Sequence, residues 1–231
     1  MIKFIVCSIL CMSVLRAGFA QNGMYADYAQ YREPIDYSTD VKLKGRRILF
    51  DSSWARAKVL SANNTLIQND SFYFNFDKIS QNLYVTKDYK KVYEVDKREY
   101  KAVLFYWNDT KYLFKHVYLI NKKDFFQEII QNDDKYSLYK LIHATVRVRS
   151  NTSLPVPDTY RRFELFKDVP EYFILFPNKE YKSLFLIKKS SLDRAFKLSP
   201  DNQKVNEFMQ NLKEDIPEEE ILRNLITYLN Q

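Results

Sequence analysis

The chain has 231 residues, a formal net charge of +7 and 16% aromatic residues, but only three glycines, two cysteines and two histidines. So few glycines exclude a Walker loop, a dinucleotide-binding fingerprint and a G-x-S-x-G nucleophile elbow. The cysteines and histidines also lack the spacing of a zinc site. We therefore expect neither a bound cofactor nor a metal ion.

Residues 1–20 have the pattern of a secretory signal peptide. Lys3 precedes an apolar run from Phe4 to Leu15, and Gly18-Phe19-Ala20 supplies the small residues of a cleavage site. The apolar run is shorter than the roughly 20 residues that cross a bilayer. We therefore expect cleavage after Ala20, a mature chain without cysteine or a transmembrane span, and export to the periplasm, the outer membrane or the medium.

The next segment, residues 21–40, is polar, contains several tyrosines and is interrupted by Pro34. It shows neither the helical nor the strand period. We interpret it as an extended N-terminal segment ahead of the folded domain.

Residues 41–189 have the pattern of an antiparallel β-sheet domain. Phe72, Phe74 and Phe76 alternate with other residues at the period of a strand. Asn-Asn and Asn-Asp turns separate such runs, and these residues tolerate the left-handed backbone that hairpins need in place of glycine. The predicted strands are 41–50, 56–61, 72–76, 82–86, 91–95, 100–107, 111–120, 124–131, 138–148, 159–167, 171–176 and 182–188.

Two features of this region break the alternation. Lys140 is a misfit on the otherwise apolar face that Leu138 and Ile142 share within 138–148. The segment 149–158 contains Pro155 and Pro157, and we predict that it is the longest loop of the domain. A loop of this kind is the place where a functional site is most often found.

Residues 190–231 change to the helical period. Ser191–Phe196 fits a short helix, Ser199-Pro200 has the pattern of a helix start, and a second start follows at Pro217. The apolar stripes of these helices must be covered, and the run 172–187 is apolar on both faces, with Phe173, Leu175, Leu184 and Leu186 on one of them. The predicted fold is α+β, mainly β: an antiparallel meander, as a single curved sheet or an open sandwich, with a C-terminal helical cap.

Several segments resemble exported proteins of Bacteroidota that have no assigned activity. They are Gln21 after an alanine cleavage site, Phe125–Ile130 with Tyr136–Tyr139, Lys188–Phe196 and Glu218–Asn230. The resemblance implies a location in the cell envelope. It transfers no functional residue to this chain.

Candidate catalytic residues are few and have simpler roles. His116 and His143 lie on alternating strand patterns without a recognised nucleophile or acid beside them, so we interpret both as packing or surface residues. Glu94 and Asp96 fit the hydrated face of a strand, and Asp133-Asp134 fits a turn. We therefore assign no catalytic, cofactor-binding or metal-ligating residue.

The aromatic excess leaves two function classes open. Aromatic side chains bind sugars and peptides by stacking, although they also fill sheets. The leading hypothesis is a non-enzymatic envelope protein that binds or scaffolds an envelope protein or glycan, and not nucleic acid, through an aromatic-rich sheet surface. The alternative is an envelope-polymer hydrolase with carboxylate catalysis near 149–158. Exposed aromatic rings favour the first, and a concave pocket with paired carboxylates or a histidine favours the second.

Overall fold

The computed structural model describes residues 35–36, 47–50, 53–150, 162–212 and 216–231, with only the backbone for 35–36, 146–150 and 162–166. As predicted, the architecture is α+β and mainly antiparallel β, with helices at the C-terminal end. The strands are β1 Ile35–Asp36, β2 Arg56–Ser61, β3 Leu66–Gln68, β4 Tyr73–Phe76, β5 Leu83–Thr86, β6 Lys91–Val95, β7 Tyr100–Trp107, β8 Thr110–Val117, β9 Asn121–Ile130, β10 Ser137–Ser150, β11 Arg162–Leu175 and β12 Tyr181–Leu184. The helices are α1 Lys189–Phe196, α2 Asn202–Gln210 and α3 Glu218–Leu229, and Lys97–Glu99 forms a 3-10 turn.

The strands form two sheets. The larger has the order β12-β11-β10-β9-β8-β7-β2-β3, and the smaller has the order β6-β5-β4 with the two-residue β1 at the edge beside β6. The chain divides into two compact units. Unit 1 comprises the described residues of Met1–Leu113 and Ala144–Lys167, and unit 2 those of Phe114–His143 and Asp168–Gln231.

In unit 1, β2 links the strands of the two sheets. It pairs with β7, so that Arg56 lies opposite Tyr106. Just before β2, Ala55 forms an isolated bridge to Phe74 of β4. The alternating pattern buries Val59, Phe74 and Phe105 completely or nearly so. The residues between, at positions such as Arg56 and Tyr106, are left half-exposed on the other face of the pleat.

A buried carboxylate stabilises the start of unit 1. Asp77 is fully buried and accepts hydrogen bonds from the Arg47 guanidinium at 2.6 Å, the Tyr84 hydroxyl at 3.0 Å and the Ile79 amide at 2.8 Å. Burial, together with the Asp77 charge, raises the pKa of Tyr84. Both oxygens of Asp77 therefore have hydrogen-bond partners within the fold, which makes this cluster structural.

In unit 2, the three helices cover the last strands, which confirms the predicted cap. Leu192, Val205, Leu222 and Leu225 are fully buried in one cluster with residues of β10, β11 and β12. Each buried large aliphatic side chain contributes roughly 1.5–3 kcal/mol. Within the described residues, none of the helices is both long and apolar enough to cross a membrane.

The lysine that broke the pattern of β10 pairs with the helical cap. The Lys140 ammonium lies 2.7 Å from the Glu219 carboxylate on α3 and 5.6 Å from the centre of the Tyr172 ring, whose hydroxyl also donates to Glu219. Burial raises the pKa of Glu219, but the hydrogen bond and charge of Lys140, with Arg223, outweigh it and lower the pKa overall. Lys140 thus faces the cap as an ion-pair partner.

Several predicted strand limits are wrong. The described part of 41–50 is a turn in which only Ile48 forms a bridge, to Asp77. The described part of 159–167 and residues 171–175 belong to one strand, β11, because Pro170 does not interrupt it. The short edge strand β3 was not predicted, since Leu66–Gln68 is too short to show a period.

The end of the sheet also differs from the prediction. Register pairs Leu184 with Tyr172, so Leu184 lies with the residues that face the helices and not with Phe173. Phe185 and Leu186 follow the end of β12 and are exposed instead of covered. The turn after β11 sets the register of β12 and thereby the face on which each of its residues lies, and strand alternation alone does not determine that register.

Helix α2 starts later than its sequence pattern predicts. Ser199 begins a turn in which its hydroxyl oxygen accepts the backbone N–H of Asp201 at 3.2 Å. The helix itself starts at Asn202, after Asp201. The predicted start before α3 lies at the right place, since Pro217 is the residue before Glu218.

Candidate functional site

The site is built on the hairpin that joins β5 and β6 in unit 1. The Asp88 carboxylate accepts hydrogen bonds from the backbone N–H groups of Lys90 and Lys91, at 2.9 Å each. The Thr86 hydroxyl accepts a hydrogen bond from the backbone N–H of Tyr89 at 3.0 Å and donates one to the Lys91 carbonyl at 2.7 Å. These side chains satisfy the backbone groups of the turn, as Asx and Ser/Thr turns do. The hairpin is therefore held in one conformation.

Tyr89 occupies an unfavourable backbone conformation in this turn. Its φ is +60°, in the left-handed region where glycine and asparagine are common and a bulky aromatic residue is an outlier. Such a residue costs of the order of 1–3 kcal/mol and is typical of functional sites. Of the other described residues with positive φ, Asn64, Asn108 and Asp109 are of the types that the sequence analysis predicts, whereas Gln81 and Lys179, at 62° and 67°, are not.

The conformation of Tyr89 carries its ring into an aromatic cleft. The ring is 44% exposed, and its centre lies 4.5 Å from that of Tyr73 and 6.5 Å from that of Trp54. Tyr106 and Trp107 complete the aromatic lining of an open cleft of about 620 Å³. We call this set of five rings the aromatic cleft.

Packing beneath the cleft fixes two of its rings. Trp54 packs on the buried cluster of Ile48, Tyr84 and Val92. Trp107 lies against Phe50, with ring centres 5.2 Å apart. Because these rings are supported from below, they do not have to be ordered when a ligand binds, which lowers the entropy cost of binding.

Arg56 is the charged group of the cleft and is also held in place. Its guanidinium stacks 3.7 Å from the centre of the Tyr73 ring, and it donates to the Tyr73 hydroxyl at 2.8 Å, to the Phe72 carbonyl at 3.1 Å and to the Asp70 carbonyl. A guanidinium has five N–H donors. Those that remain after three hydrogen bonds can bind a ligand oxygen without rearrangement of the side chain.

The Tyr89 hydroxyl is neutral in the cleft. Loss of solvent, and then a hydrogen bond with Tyr73, raise the pKa of Tyr89 to about 12. The Tyr89 hydroxyl therefore stays protonated at physiological pH and acts as a donor and an acceptor. Ser53 and Asn108 add exposed polar groups at the edge of the cleft.

The described residues that line the cleft include neither a carboxylate nor a histidine. Its chemistry is thus stacking and hydrogen bonding. In the part of the chain that the structure describes, no group of three or more His, Cys, Asp and Glu side chains could hold a metal ion.

The two histidines lie on strands of unit 2. The His116 ring lies 3.9 Å from that of Phe125, and its Nδ1 is 3.0 Å from the Asp124 carbonyl oxygen. His143 is half-buried in β10.

The acidic pairs also have structural roles. Glu94 accepts the Asn82 amide at 2.7 Å, and Asp96 caps the 3-10 turn through the Arg98 amide at 2.9 Å. Asp133 and Asp134 lie in the turn before β10, as predicted. The loop predicted for 149–158 lies outside the described residues from 151 onward, and residues 149 and 150 end β10.

Sequence reasoning identified the aromatic excess but missed the cleft itself. The rings come from the segment before β2, from β4, from β7 and from a hairpin turn, so no linear spacing brings them together. One signal was available: Tyr89 stands in the turn Lys87–Lys90, where an asparagine or glycine is the expected residue.

No family model, curated protein or solved structure matches the chain. The resemblance to exported proteins of Bacteroidota therefore stays a prediction.

Proposed function

We propose that the chain is an exported, non-enzymatic protein of the cell envelope that binds a glycan through the aromatic cleft. Export is supported by the signal-peptide pattern of residues 1–20. Binding is supported by the chemistry of the cleft, which offers ring faces and hydrogen-bond donors.

The observation that carries the proposal is the conformation of Tyr89. A bulky residue at φ +60° costs stability, and an asparagine there would cost less. The tyrosine places a 44% exposed ring against Tyr73. A role in binding explains both the backbone strain and the exposure.

A glycan fits this arrangement better than an apolar ligand. The ring C–H groups of a pyranose form an apolar face that stacks on an aromatic ring, and its hydroxyls need donors and acceptors at the edge. Arg56 and the hydroxyls of Tyr73 and Tyr89 provide these groups beside the rings. A β-1,4-linked chain presents such faces in an extended line, so we expect this linkage.

Tryptophan fluorescence tests the proposal directly, because the only two tryptophans of the chain, Trp54 and Trp107, both line the cleft. The chain from Gln21 onward would be titrated with cello-, xylo- and chito-hexaose, and with maltohexaose as the α-linked comparison. We expect a saturable change in emission with at least one β-linked oligosaccharide. Absence of a change with all four would contradict glycan binding.

A variant pair locates the binding site. Tyr106→Ala removes one ring of the cleft and should weaken binding about tenfold, since an aromatic contact is worth about 0.5–1.5 kcal/mol beyond its area. Tyr181→Ala removes an exposed tyrosine ring from unit 2 and should leave the affinity unchanged. Equal affinities of both variants and the parent would place the binding site elsewhere.

A further inference from the structure

An exposed apolar pair follows β12 in unit 2. Phe185 is 63% exposed and Leu186 is 54% exposed, although Leu184 before them and Ile187 after them are buried in the core under the helices. Because both neighbours are anchored, the pair cannot turn inward without breaking that core. Adjacent large apolar side chains on a surface are typical of a site of contact with a partner or a membrane.

Lysines flank this pair in the sequence. Between Tyr181 and Leu192 the chain has Lys182, Lys188 and Lys189 and no aspartate or glutamate, and Glu180 and Asp193 lie just outside this segment. Lys188 is the N-cap of α1 and makes no capping hydrogen bond, and Lys189 is the first residue of that helix. Positive charge is unfavourable at a helix N-terminus. These lysines therefore do not serve the stability of α1.

The turn after α1 carries another exposed apolar residue in a different setting. Leu198 is 96% exposed, and it lines a cleft with Lys182, Arg194, Glu180 and Asp201. Because this turn has acidic as well as basic neighbours, we base the inference on the residues that follow β12.

We propose that Phe185, Leu186, Lys188 and Lys189, which we call the 185–189 corner, dock the protein on an anionic lipid bilayer. Apolar side chains enter the boundary between headgroups and acyl chains, and lysines bind the lipid phosphates. The inference does not depend on glycan binding, since none of these residues lines the aromatic cleft.

Charge argues against a second copy of the chain as the occupant. A two-fold interface would place the same patch on both partners, so that lysines face lysines. Like charges across an interface are unfavourable. An anionic bilayer is complementary to both the apolar pair and the lysines.

Vesicle sedimentation tests the proposal. The chain from Gln21 onward lacks the apolar run of residues 4–15, which could itself bind lipid, and keeps every described residue. It would be mixed with phosphatidylcholine vesicles with and without 30% phosphatidylglycerol. We expect at least tenfold tighter binding to the anionic vesicles, weakened by salt.

Two double variants separate the contributions of charge and apolar contact. Lys188→Gln with Lys189→Gln should weaken binding about twenty-fivefold, at about fivefold for each lysine near an anionic surface. Phe185→Ser with Leu186→Ser should weaken it about tenfold or more by removing the inserted area. All four residues are exposed, so melting temperatures should be close to that of the parent.

The chain offers a matched control at another turn of unit 2. Tyr118 and Leu119 are 64% and 52% exposed and are followed by the exposed Lys122 and Lys123. The same serine and glutamine changes at this turn should leave binding within twofold of the parent. Equal losses at both turns, equal binding to both kinds of vesicle, or a change of oligomeric state in the Phe185→Ser, Leu186→Ser variant without loss of vesicle binding would overturn the proposal.

Discussion

The aromatic cleft of unit 1 and an aromatic cluster of unit 2 use similar residues in opposite ways. In unit 2, Tyr136, Phe176 and Phe196 are all buried, with ring centres 5.0–5.7 Å apart. In the cleft, the five rings keep one face or edge toward solvent, and one of them requires a strained turn. Aromatic composition alone therefore does not distinguish a core from a binding surface.

The difference lies in what covers the rings. Tyr136 lies beneath the helices. Because its buried hydroxyl needs a hydrogen-bond partner, it donates to Asp201 at 2.8 Å. Burial, with Asp201 adding to it, raises its pKa to about 12. In unit 1 the cleft is open, the Tyr73 hydroxyl accepts from Arg56, and Tyr89 hydrogen bonds with Tyr73. Removal of a ring should thus affect stability in unit 2 and binding in unit 1.

The largest effect is expected where the cap meets the strands. Leu225→Asp places a charge at a fully buried position of α3, and we expect the free energy of unfolding to fall by about 4 kcal/mol or more. Chemical denaturation measures this. Asn224→Asp adds the same charge at an exposed neighbouring position and should change the stability by less than about 0.5 kcal/mol. Similar melting of both variants would show that α3 is not part of the folded core.

The next effect compares the two aromatic sets directly. Phe196→Ala empties a fully buried site and should cost about 3–5 kcal/mol. Tyr106→Ala at the half-exposed cleft should cost about 1 kcal/mol, because much of its ring already contacts water. Denaturant unfolding of both variants measures these two losses in the free energy of unfolding. Equal losses would mean that the cleft rings are core residues.

A smaller, pH-dependent effect is expected from Lys140. The pKa of Glu219 is lowered from its ordinary value of 4.5 in the folded state, so its ionised form stabilises the protein above that pH. This stabilisation is lost as the pH falls through the lowered pKa. Lys140→Met should therefore reduce the free energy of unfolding by about 1 kcal/mol at neutral pH.

The difference between Lys140→Met and the parent should vanish as Glu219 becomes protonated. Unfolding curves at about pH 7 and at about pH 3 measure it. A difference that stays constant across this range would assign the effect of Lys140 to packing on Tyr172 alone.

Much of the fold follows from local sequence. Alternation located the long strands, and asparagine or aspartate marked the left-handed turns at Asn64 and Asn108. The Lys140 misfit was visible, but its partner Glu219 lies 79 residues away. The face of Leu184 depends on register, which a turn sets and which strand alternation cannot show.

The candidate site was less accessible to prediction for the same reason. Tyr106 and Trp107 are neighbours in the sequence. The other rings come to lie beside them because strands that are distant in the sequence pair with one another. The strain at Tyr89 depends on a turn geometry that other side chains impose. In the sequence, the one sign of this strain was a tyrosine at a turn position where asparagine or glycine is expected.

The most direct test of the account measures stability and binding on one variant, Tyr89→Asn. Asparagine tolerates the left-handed backbone, so the free energy of unfolding should rise by about 0.5 kcal/mol, while oligosaccharide affinity falls about tenfold with the lost ring. Lys179→Asn, at φ 67° in a hairpin of unit 2, is the matched control and should leave affinity unchanged. A Tyr89→Asn protein that is less stable than the parent and binds equally well would contradict the claim that the strain serves binding.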